Sequence, residues 1–167
     1  MKLIPRFVIS VLAIVLTACL TDPTPLSQAT IPVMSPTPLP TLAFLVPADP
    51  PLDCGPEAAI ALAQTQSDLA LAADSTVESL KQANAEAAAI AQTGLQEYSL
   101  ARDLLKAYAV PDCLLQAKVF ADQFFGERIE AYAALGASDT AGYETHLNNS
   151  EIARQNMITV VNGVLGQ

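Results

Sequence analysis

The residues able to do chemistry are few, and their spacing decides what they can do. His146 is the only histidine in the chain. A di-metal site inside a helical bundle wants two Glu-x-x-His motifs with further glutamates, so that class is excluded. Covalent haem needs Cys-x-x-Cys-His, which does not occur. His146 stands near Glu144 and Glu151 as a stray ligand pair at most, and an ordinary surface histidine is the simpler reading. A Ser-His-Asp triad would have to use the same imidazole, and nothing resembles a nucleophile elbow. No glycine-rich loop cradles a phosphate. Two charge clusters, Arg102 with Asp103 and Lys106, and Glu127 with Arg128 and Glu130, read as solvated helix faces. No catalytic residue, cofactor site or metal site is assigned, and enzymatic activity is not expected.

Three cysteines remain, at positions 19, 54 and 113. Cys19 closes a leader. Lys2 and Arg6 give a basic start, Phe7 to Leu16 is unbroken and apolar, and the small Thr17 and Ala18 precede the thiol. A basic head, a greasy core and a small-residue cleavage site form a secretory signal. Phe7 to Ala18 would be about 18 Å of helix, too short for a hydrocarbon core of about 30 Å. Leu16-Thr17-Ala18-Cys19 resembles the lipobox of bacterial lipoproteins. That resemblance implies a diacylglyceryl thioether on Cys19, cleavage just before it and a mature chain beginning there. Two or three acyl chains would hold the protein stably on a membrane, where one alone is marginal. Residues 1–18 are thus expected to be a lipoprotein signal peptide. The protein is expected in the bacterial cell envelope, outside the cytoplasm, with the membrane as its first partner through lipid on Cys19.

Charge narrows the remaining partners. Of eight basic residues, Lys2 and Arg6 leave with the leader, and the other six face seventeen acids, a formal net of −11. No basic patch forms, so nucleic acid is not an expected partner. The acidic body would be repelled by an anionic membrane surface, so attachment must come from lipid.

Behind Cys19, Leu20 to Leu52 holds nine prolines in thirty-three residues. Such a run forbids a helix or a central strand, and it predicts an extended, semi-rigid linker over residues 19–52. Its apolar island, Leu42-Ala43-Phe44-Leu45-Val46, is expected to rest on the domain that follows.

Composition changes at Asp53. Of the next 115 residues, 24 are alanine, and proline returns only at Pro56 and Pro111. Alanine and leucine favour helix, and no alternating β-branched run suits a sheet. Residues 53–167 are predicted to be all-α, an up-down four-helix bundle. Pro56 and Glu57 suit a helix start, and helix 1 is expected to reach about Ala73. Ser75 with Glu78 is a capping-box pattern, so helix 2 is expected from there to about Ala109. Its seam is small at Ala87, Ala91 and Gly94, where a neighbour can approach or the helix can break. As drawn it is much longer than helix 1; a break near Gly94 or a turn nearer Asn84 would even them. Helix 3 is expected from Asp112 to Leu135, with Cys113, Ala117, Phe120, Phe124, Ala131 and Leu135 near one face and Gly136 as the stop. Phe124 and Phe125 are not expected to share a core. Ser138-Asp139-Thr140 opens helix 4.

In an exported domain, Cys54 and Cys113 point to one disulfide. The bundle brings both to the end where helices 1 and 3 start. A single straight helix from Pro56 to Ala109 would instead carry them far beyond the ~7 Å Cα limit. The functional expectation is a membrane-tethered binding or structural interaction module, partnered by an envelope or extracellular protein. The alternative is a small-ligand sensor or carrier, with a pocket near Ala87, Ala91, Gly94, Tyr98 and Phe120.

Overall fold

The computed structural model describes residues 45–47 and 49–166. The leader, Cys19 and the linker up to residue 44 lie outside the described residues. Four helices follow in order: α1 Pro56–Gln82, α2 Ala87–Ala107, α3 Leu115–Gly136 and α4 Thr140–Leu165, with one 3-10 turn at Asp112–Leu114. There is no strand among the described residues. The all-α bundle read from composition is the fold observed.

The first helix begins as expected, with Pro56 in its first turn behind an extended Gly55. It does not stop at Ala73. The Ser75–Glu78 capping box goes unused because the helix runs through it, and neighbouring hydroxyls bond back along the same helix. Thr76 Oγ1 donates to the Ala72 carbonyl (3.2 Å) and Ser79 Oγ to the Thr76 carbonyl (2.7 Å). Serine and threonine within a helix bond back to earlier carbonyls in this way. The buried stripe Leu62, Gln66, Leu69, Ala73, Val77 also runs through the expected break without losing phase. Burial of that stripe outweighs a local cap.

The chain turns instead at Ala83–Glu86. Asn84 is left-handed (φ 53°), a conformation asparagine tolerates better than most residues. The amides of Asn84 and Ala85 donate to the carbonyls of Lys81 and Leu80 (both 3.0 Å). With the turn there, α1 and α2 have 27 and 21 residues against 22 and 26 for α3 and α4. The imbalance expected from sequence disappears, and no break is needed at Gly94.

Gly94 serves packing. The Tyr132 ring of α3 lies on it, and a Cβ there would sit 2.6 Å from Tyr132 Cδ2 and closer still to Cγ and Cδ1. Tyr98, one turn on, is fully buried and stacks on Tyr132 with ring centroids 5.5 Å apart. Tyr143 of α4 meets Tyr132 edge-on at 6.0 Å. The small-residue notch in α2 is therefore filled at Gly94 by an aromatic ring.

The third helix is the central one, packed against both α2 and α4. That is why Phe124 and Phe125, adjacent in sequence and not expected to share a core, are both buried: each faces a different covering helix of one continuous core. Their rings meet edge-on at 5.1 Å. Helix α4 opens where Ser138-Asp139-Thr140 predicted, with the Asp139 carboxylate accepting from the Gly142 amide (2.9 Å). It closes on left-handed Gly166 (φ 74°), the usual C-terminal glycine signal.

Cys54 and Cys113 are bonded, Cα atoms 6.0 Å apart. This joins the start of α1 to the turn that leads into α3, so the two odd-numbered helices begin at one end of the bundle. Leu45 and Val46, the described part of the apolar island, pack against the core. Among the described residues, no helix is long and apolar enough to cross a membrane.

Candidate functional site

Side chains singled out in the sequence are distributed over several sites. His146 does not pair with Glu144 or Glu151. Its Nδ1 is 2.8 Å from Glu127 Oε2 on α3, and Asn149 Nδ2 donates to the same oxygen (3.3 Å). Glu151 is taken by Arg154, whose Nε donates to its Oε2 (2.9 Å). That bond holds the Glu151 carboxyl below its ordinary range and the Arg154 guanidinium above its own. Among the described residues, no group of three or more His, Cys, Asp or Glu side chains could hold a metal.

The Arg102 cluster is not a plain solvated face either. Arg102 Nε and Nη2 grip both Asp122 oxygens across the α2–α3 interface, each at 2.8 Å. This fork-on-carboxylate geometry holds the Asp122 carboxyl below its ordinary value, with nearby Lys106 and Lys118 adding to the effect. Both side chains are about a third exposed, so the pair is a modest clasp between helices.

Arg128 departs furthest from the sequence reading. It was expected on a solvated face with Glu127 and Glu130, yet its side chain is only 21% exposed. The guanidinium lies over the rings of Phe124 (5.3 Å) and Tyr98 (5.7 Å), a cation held against two aromatic faces. Its nearest anion is Asp74 of α1, 3.9 Å from Nη1. Asp74 also accepts the hydroxyl of Tyr98. Burial pushes the Tyr98 hydroxyl far above its ordinary pKa; Arg128 opposes that shift and Asp74 adds to it. Tyr98 therefore stays protonated and donates.

These groups stand beside a groove of about 460 Å³ between α1 and α4, floored by α3. Its polar lining is Gln66, Ser67 and Asp74 from α1, Arg128 from α3, and Glu151 and Arg154 from α4. The α1–α4 pairing is the loosest of the bundle's four adjacent pairings. Gln66 is 3% exposed. Its Nε2 and Arg128 Nε are both shut off from solvent, and neither has an acceptor among the described residues. A buried donor without a partner costs about 1–3 kcal/mol, and buried polar groups are ordinarily satisfied. Two such donors beside one groove form a local demand for an acceptor. The sequence did carry a trace of this: Gln66 breaks an otherwise apolar stripe. Little local marked Arg128: Phe124 lies one turn earlier on α3, but Tyr98 and Asp74 come from α2 and α1.

No family model, curated protein or solved structure matches this chain.

Proposed function

We propose that this protein is a lipid-anchored, extracytoplasmic lipoprotein of a bacterial cell envelope, working as a binding or structural interaction module. One observation carries the reading: a basic-apolar leader ends in Leu16-Thr17-Ala18-Cys19 immediately ahead of a proline-rich stretch and a helical domain. In that order, the thiol of Cys19 carries the lipid, residues 19–52 act as spacer, and residues 53–167 present the working surface. A Cys54–Cys113 bridge supports it, because such bonds persist in oxidising compartments. The partner on this reading is an envelope or extracellular protein.

Cell fractionation tests the anchor. Wild type should sediment with membranes and incorporate labelled fatty acid, whereas Cys19→Ser should lose the label and leave the membrane fraction. A Cys19→Ser protein that still sediments with membranes would overturn the reading.

The second reading, a small-ligand sensor or carrier, is favoured by the α1–α4 groove. A volume of about 460 Å³ falls within the usual range for small-molecule sites. The groove differs in place from the α2 notch that the sequence suggested.

A further inference from the structure

The α1–α4 groove has a composition that selects among ligands. Its unpartnered groups are donors: the Gln66 amide nitrogen and Arg128 Nε. Its two carboxylates already have donors, Asp74 from Tyr98 and Glu151 from Arg154. An ammonium group would add donors where donors are already in excess. A neutral carbonyl offers one oxygen where two donors, the Gln66 amide and Arg128 Nε, lack acceptors. A carboxylate offers two oxygens to a guanidinium edge and an amide at once. Beyond this polar floor the lining is apolar, with Leu71, Phe124, Met157 and Ile158 on three helices. Leu71 is 68% exposed, so one wall has apolar surface left to bury.

We infer that the α1–α4 groove binds a small amphipathic carboxylate, its head taken by Gln66 and Arg128 and its apolar body laid against Leu71, Phe124, Met157 and Ile158. The inference deepens the small-ligand reading and is independent of the lipid anchor. The donors lie beneath the groove surface. Engaging them takes a turn of the Gln66 amide and a small parting of α1 from α4, the pairing with least to lose. Size fits as well: about 460 Å³ lies within the range of small-molecule sites. The net acidity of the chain does not forbid an anion here, because Arg128 and Arg154 balance Asp74 and Glu151 within the groove.

Equilibrium dialysis of the full chain against three probes of one shape tests this: 3-phenylpropionate, 3-phenylpropanamide and 3-phenylpropylamine. The carboxylate should bind saturably, the amide about tenfold or more weaker, and the amine not at all. Gln66→Leu, which keeps volume and removes the donor, should weaken carboxylate binding about tenfold while melting no lower than wild type. Arg128→Lys keeps the charge, loses the Nε donor and should weaken binding too. No saturable binding in the millimolar range, equal binding of the three probes, or a Gln66→Leu protein that binds like wild type would each overturn the inference. Because dialysis does not depend on membrane attachment, these outcomes are separate from those of the Cys19→Ser fractionation.

Discussion

Placing a methyl group at Gly94 and at Gly163 should move stability in opposite directions. Both glycines sit inside helices, α2 and α4, with ordinary negative φ. From helix propensity alone, either Gly→Ala change should stabilise by about 1 kcal/mol. Their surroundings differ. Nothing lies within 4 Å of a Cβ at Gly163, whereas a Cβ at Gly94 enters the ring of Tyr132. Tyr132 is only 1% exposed and is held between Tyr98 and Tyr143, so it has no free direction in which to retreat. Forcing an extra methyl into a packed core costs about 1–3 kcal/mol and occasionally more. This contact lies at the high end, because the obstacle is the near edge of a ring rather than the tip of a flexible chain. Gly94→Ala should therefore destabilise by about 1–2 kcal/mol net of propensity, while Gly163→Ala gains about 1 kcal/mol. The spread of about 2–3 kcal/mol corresponds to roughly 10 °C in melting temperature for a domain of this size, read by far-UV circular dichroism of the two proteins side by side. If Gly94→Ala melts at or above wild type, the α2–α3 contact is looser than described and the account of Gly94 is wrong.

Other perturbations have equally direct readouts. The cysteines are 59 positions apart, so opening the bridge frees a loop whose closure is worth roughly 4 kcal/mol on the chain-entropy model. Cys54→Ser should melt well below wild type, and wild type should show no titratable thiol at positions 54 and 113; free thiols with an unchanged melt would contradict the bridge. Asp122→Asn should cost up to about 1 kcal/mol at neutral pH, the scale of a partly exposed pair. The sign with pH follows from a carboxyl held below its ordinary 3.8, first by the Arg102 hydrogen bond. Its contribution is complete above 3.8 and fades as pH falls through the lower folded value. Denaturation curves of Asp122→Asn and wild type should therefore converge in strong acid; a gap that widens there would refute the assignment.

Much of this bundle was legible because composition and punctuation agreed. Pro56, Pro111 and Asp139 mark helix boundaries by removing or satisfying backbone donors, and the two cysteines demanded that the chain double back. The first turn was misplaced because Ser75 and Glu78 present a cap in sequence. Those residues are indifferent to it once Val77 is buried in register with Leu69 and Ala73. Asn84 carried the true signal: of the two alternatives that would even the helix lengths, a turn nearer Asn84 is the one adopted. The candidate groove was less legible. Gln66 showed itself as a polar residue within an apolar stripe. Arg128 looked like any arginine between two glutamates, and its partners Tyr98 and Asp74 lie 30 and 54 positions earlier. Local periodicity says which way a side chain faces along its own helix, not what another helix will set in front of it.

The cysteine cross-link has a mechanical consequence. Force entering the chain ahead of Cys54 and resisted beyond Cys113 passes straight across the sulfur pair. All of α1 and α2 lie inside the covalent ring, off that load path. A pull from the amino-terminal side would strain α3 and α4 and leave the first hairpin slack, so the wall of the groove contributed by α1 would be spared direct tension.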